Sequence, residues 1–175
     1  MLEVLRNTPH WVYTVFTVTL YFGLSSCFEG RIGNRYLLIT PALFVLISIV
    51  TVVNGNGANV HALSNWTFGV LAALGLTYWL TLATGSGLRR EGEDMIIPGG
   101  ASVLLVGLGA FAVKYWFGYS SAIGADWTMR ASFSVWDSFT SGLIVGFFGG
   151  RGLAHFTIFR RLASISDLEM NHAHR

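Results

Sequence analysis

Pro98-Gly-Gly-Ala-Ser-Val-Leu-Leu-Val-Gly-Leu-Gly-Ala-Phe-Ala-Val-Lys114-Tyr-Trp-Phe-Gly118 is an apolar run of membrane length with one charge inside it. Pro98 suits a first helical turn, because its fixed backbone angle fits that turn and its missing N–H is a donor the turn would not use. Counting back from Lys114 by helical steps gives Ala110, Gly107 and Val103, a face small enough for another helix to come close. A charge in such a segment marks a candidate functional site and calls for a partner. Asp137 is the acidic residue whose position fits.

The composition extends this reading to the whole chain. Of the 175 residues 53% are hydrophobic and only 11% charged, whereas soluble domains carry about a quarter charged residues. That excludes an ordinary soluble domain, and no basic tract of the kind that binds nucleic acid stands out. Thirteen Phe, six Trp and six Tyr are the rings that anchor helix ends at a headgroup layer. The single cysteine, Cys27, rules out an intramolecular disulfide; at the end of an apolar segment it reads as a packed or interfacial thiol. No cleavable signal peptide is expected, since Ser25-Ser26-Cys27-Phe28 leads straight into charge without a small-residue cleavage site.

Five apolar spans follow in order, at about 10–28, 36–53, 66–84, 98–118 and 131–150, each close to the roughly 20 residues that cross a hydrocarbon core of about 30 Å. The fold class expected is therefore all-α, a polytopic membrane bundle of five helices, with the spans in a domain over 1–155 and a polar cytoplasmic tail over 156–175. The first span carries a polar stripe, His10, Thr14, Thr17, Tyr21 and Ser25, read as hydroxyls bonded to their own helix or to a neighbour, with a hydrated path as the alternative. Pro41 lies near the start of the second, where proline costs least. In the fifth, Ser134, Ser138, Gly142, Gly146 and Gly150 recur every four residues. This ridge suits close backbone approach, within the chain in preference to between two copies.

Lys114 and Asp137 fall at similar depth on adjacent antiparallel spans, with Ser141 one turn further along as a candidate to hold the carboxylate. Three arrangements stay open: a static pair, a functional pair, or two residues that each reach water. His10 and His61 would share one side of the membrane, so a haem or metal between them is conceivable, though they lack acidic or sulfur partners nearby; His172 and His174 belong to the tail. No phosphate loop, zinc spacing or nucleophile elbow occurs. No catalytic set and no cofactor are expected.

Several short motifs carry a resemblance: Thr8-Pro9-His10-Trp11-Val12 at the start, Leu37-Leu38-Ile39-Thr40-Pro41, Pro98-Gly99-Gly100, Phe111-Ala112-Val113-Lys114-Tyr115-Trp116-Phe117-Gly118, and Gly146-Phe147-Phe148-Gly149-Gly150-Arg151. Over about 1–155 the chain resembles a family of small bacterial inner-membrane proteins of unknown function, more remotely similar to CcdC-like proteins linked to cytochrome c biogenesis. The family's bulkier Pro-Gly-Ser-Trp is Pro98-Gly99-Gly100-Ala101 here. The resemblance implies five spans and no established activity, and marks Arg31, Arg35, Lys114 and Arg151 as positions to test.

The function expected is that of a non-enzymatic accessory or assembly subunit acting through helix contacts. A small transporter or proton-coupled permease using Lys114 and Asp137 is the alternative, and a haem or metal protein using His10 and His61 the second. Lipid is the expected partner, with another membrane protein or a second copy beside it. Orientation follows from arginine: Arg31, Arg35, Arg89, Arg90, Arg151, Arg160, Arg161 and Arg175 fall on one side of the bundle, Arg6 and Arg130 on the other. These residues set topology or meet anionic lipid, and they put the C-terminus in the cytoplasm of a bacterial inner membrane and the N-terminus outside. Alkaline phosphatase fused after residue 175 should accordingly be inactive in cells; strong activity would reverse the orientation.

Overall fold

The computed structural model describes residues 8–33, 45–46, 48–50, 60–84, 87–91 and 94–173. Four helices dominate: α1 (His10–Ser25), α2 (Val60–Ala83), α3 (Ser102–Ala122) and α4 (Ala131–Ala173). Three segments, Val60–Ala83, Ser102–Ala122 and Ser132–Leu162, are long and apolar enough to cross a membrane, and Val12–Ser25 is a shorter apolar helix. The expected second span lies largely outside the described residues. Its described part, 45–46 and 48–50, is helical, and there Val45 and Ile49 pack on Ala62, Trp66 and Val145, while Trp66 Nε1 donates to Ser48 Oγ at 2.9 Å.

The tightest packing joins α2 to α4. A Cβ at Gly142, Gly146 or Gly150 would fall within 3.0 Å of the carbonyl oxygen of Trp66, Val70 or Leu74. Gly69 of α2 returns the favour, sitting against the Phe139 carbonyl of α4. The matched residues rise together along both helices, so α2 and α4 run parallel with their backbones in contact. Such closeness supports Cα–H···O contacts as well as dispersion. The ridge is thus an internal packing surface, with Ser138 fully buried in it. It faces α2, a partner that the sequence reading left unassigned.

The other pair is α1 with α3, which run antiparallel. Gly23 meets Leu104 and Gly107 meets Thr19, Phe16 and Phe111 rings lie 5.1 Å apart, and Thr8 shares a hydrogen bond of 3.0 Å with Tyr115. Gly107 therefore turns toward α1. The small face of α3 admits α1 in place of α4, a choice that periodicity alone does not make.

Two connections that looked irregular form a sheet. Strands β1 (Gly30–Gly33), β2 (Arg89–Glu91) and β3 (Asp94–Ile97) pair antiparallel in the order β1-β3-β2. Arg31 and Arg89 both stand opposite Ile96. Ile97 and Leu88 close over Phe159 of α4. Pro98 ends this strand, and the helix starts only at Ser102, so Pro98 is not the first helical residue expected. The difference is physical: strand pairing reaches Ile97, and Gly100 N–H then bonds the Ser26 carbonyl at 2.9 Å, which uses these residues before a helix can begin.

At the far end α3 stops at Ala122, and Gly124 just past its cap Ile123 has the positive φ, 65°, of the left-handed residue that closes a helix. A 3-10 turn at Asp126–Met129 follows, and Phe117, Trp127 and Phe133 form an edge-to-face cluster with centroids 5.2–5.9 Å apart. α4 then runs for 43 residues, through the expected boundaries at 150 and 155. Gly150 does not end it because Gly150 is a contact point on Leu74, and the helix stays buried on one side through Ala154, His155 and Phe159.

Directions follow from these contacts. α1, α2 and α4 run one way and α3 the other, with the sheet at one end and the aromatic cluster at the other. Replacing Gly146 by valine should lower the unfolding free energy in detergent by at least about 1–3 kcal/mol, the usual cost of overpacking. Gly109→Ala, where a Cβ meets open space, should be neutral or slightly stabilising. Equal losses for the two variants in thermal unfolding would contradict the assigned α2–α4 contact.

Candidate functional site

Lys114 Nζ lies 2.5 Å from Asp137 Oδ1 and 3.4 Å from the Asp137 carbonyl. The two side chains are 34% and 29% exposed, so the pair is neither sealed in the protein nor free in solvent. The sequence placed these two residues at similar depth and left their pairing open; the structure pairs them. Lys114 lies deeper than expected, because α3 runs on to Ala122, while α4 begins at Ala131 as expected; the pair sits about two turns inside both ends. Ser141 donates to the Asp137 carbonyl at 2.8 Å, not to the carboxylate: its position four residues on is that of ordinary back-bonding within a helix.

α3 and α4 meet at a second polar contact nearer the sheet. The Arg151 guanidinium donates to Ser102 Oγ at 2.9 Å. Together with Phe117 against Phe133, these contacts fix α3 and α4 antiparallel, with one polar contact toward each end of the seam. His155, one turn beyond Arg151, is only 4% exposed. The sequence reading missed it because the helix was ended at Gly150. The available signal was its spacing: four residues after Arg151 and four before Phe159.

The other sequence-derived candidates separate. The stripe His10, Thr14, Thr17, Tyr21 and Ser25 lies on the exposed side of α1, away from the Phe16–Gly23 face that meets α3. Thr14 and Thr17 donate to the carbonyls of His10 and Tyr13 at 3.4 and 2.9 Å, which is the back-bonded arrangement and gives no path between described helices. Cys27 is half-buried, its thiol 3.5 Å from the Gly23 carbonyl. His10 and His61 are exposed near the starts of α1 and α2; among the described residues no group of three His, Cys, Asp or Glu side chains converges. Among the basic residues, Arg31, Arg89, Arg90, Arg151, Arg160 and Arg161 all belong to the sheet end, and Arg130 belongs to the other. Arg35 lies outside the described residues.

With this geometry in hand, comparison with family models, curated proteins and solved structures gave no match.

A half-buried pair should couple between the exposed and buried limits. Lys114→Met and Asp137→Leu should each cost about 1–3 kcal/mol, and the double variant should recover much of the loss. Additive losses in a double-mutant cycle would show that the contact carries no coupling.

Proposed function

We propose that this chain is an integral membrane protein of five spans that works as an accessory or assembly subunit through helix contacts. The carrying observation is the uncovered length of α3. No residue of its most apolar window is fully buried by the rest of the chain, against 44% of the corresponding window of α4. Leu105 and Trp116 on it are 67% and 58% exposed. The glycine ridge is occupied by α2, so a partner would use another face, and the outer side of α3 is the one proposed.

Five crossings, in place of three, are supported by the directions of the helices. β1 leaves α1 at the sheet end, whereas Val60 starts α2 at the far end, so residues 34–59 join opposite ends and the chain crosses once more between them. The gathering of arginines at the sheet end supports a cytoplasmic sheet and C-terminus in a bacterial inner membrane, with the start of α1 outside.

A second reading, a small permease, is favoured by the Lys114–Asp137 pair. An ion pair about two turns inside a membrane-length helix is the sort of group that ion and substrate pathways use, and α3 and α4 meet there at one of their few polar contacts.

Two measurements separate these readings. A photo-crosslinking side chain at Leu105 or Trp116, activated in native membranes, should yield a discrete protein adduct, at twice the chain mass if the partner is a second copy. Adducts to lipid alone would count against the subunit reading. For the permease, Lys114→Ala should abolish a flux in proteoliposomes that the unaltered chain supports; an unchanged flux would remove that reading.

A further inference from the structure

Lys114 is the only lysine in the chain; the other ten cationic side chains are arginine. The difference has physical content. A permanent bridge to a carboxylate is best made by arginine, whose planar fork grips both oxygens and never gives up its charge. A lysine ammonium is a compact point charge on a flexible stem, with no fixed fork. Of the two, it is the one that resembles a free monovalent cation.

The surroundings of the ammonium suit such an ion. Lys114 Nζ touches two oxygens of one residue, Asp137 Oδ1 at 2.5 Å and the Asp137 carbonyl at 3.4 Å. Ser141 is 7% exposed and donates to that same carbonyl at 2.8 Å, so a third oxygen stands beside the second. One carboxylate with two neutral oxygens balances a single positive charge. The set falls short of the roughly six to eight oxygens that calcium takes. The pair is also open: Lys114 is 34% and Asp137 29% exposed. The chain therefore leaves room beside the carboxylate, and the four-carbon stem lets the ammonium swing toward the end of α3 without moving the helix.

We infer that the Asp137 carboxylate, the Asp137 carbonyl and the Ser141 hydroxyl form a site for a small monovalent cation of the sodium class. Lys114 is the tethered occupant of that site in this structure and is displaced when a free cation enters. The exchange breaks no covalent bond, and one positive charge replaces another at the carboxylate. The inference deepens the permease reading, on which it rests, by naming the class of its substrate.

Two measurements on the full-length protein in an uncharged detergent test it, with sodium chloride as the probe and choline chloride at equal ionic strength as the control for screening. Lys114→Ala vacates the site and leaves Asp137 uncompensated. Its thermal midpoint should rise saturably with sodium, by about 3–6 °C at about ten times the dissociation constant. The double variant Lys114→Ala with Asp137→Asn should lose that rise. In the unaltered chain, an amine-selective reagent can modify only Lys114 and the α-amino group, because there is no other lysine. Modification of Lys114 should be at least about twofold faster in sodium than in choline, as sodium shifts the population toward the displaced lysine. The modification rate decides the matter if Lys114→Ala does not fold. A midpoint that responds equally to both salts, or equal modification rates in them, would overturn the inference. Neither readout involves transport. Sodium binding without flux would remove the permease reading alone, whereas flux of another solute without a sodium response would remove this site alone.

Discussion

The contact that the rest of the structure depends on is backbone against backbone: three glycines of α4 on three carbonyls of α2, with Gly69 answering from the other side. Between apolar helices in an apolar solvent, burial of area supplies no preference for one neighbour over another; distance does, through dispersion and weak C–H···O contacts. Only a row without side chains permits that distance. Because α2 and α4 run the same way, the chain between them has to return. α3 is the described element that does so, which leaves α3 on the outside of the tight pair with α1 as its companion.

Much of this was legible and some was not, for separable reasons. Long apolar runs declared α2 and α3, and the spacing of Lys114 and Asp137 from their helix ends made them candidates for an ion pair, because depth along a helix is fixed by residue count. Which helix covers a small face is not fixed that way. Gly107 and the Ser134–Gly150 ridge were both recognisable as small, yet their coverings, α1 and α2, were left unassigned in the reading. Periodicity describes one surface at a time, and pairing is a property of two.

The sheet was missed for another reason. Strands of three or four residues give too little alternation to read, and β1 finds its partner only after α2 and β2 have intervened. Residues Gly92 and Glu93, a Gly-X pair between β2 and β3, were the one local sign of a two-residue hairpin. His155 was lost with the end of α4: Gly149-Gly150 resembles a helix terminator, whereas Gly150 serves as a contact point on Leu74. In both cases tertiary contact overrode a local signal.

The parallel arrangement of α2 and α4 also orders events in time. Trp66, Gly69 and Leu74 leave the ribosome well before Gly142 and Gly150, which cover them. At translation rates of about 5–20 residues per second, α2 waits for several seconds with its contact face uncovered. During that interval α2 depends on its own helical hydrogen bonds and on whatever surrounds it, and a chaperone or insertase has time to hold it. The antiparallel pair has no such shortcut either, since α3 emerges after α2. Assembly of this small protein is therefore completed from its C-terminal half backwards, and a truncation within α4 removes the partner for which the earlier helix has been waiting.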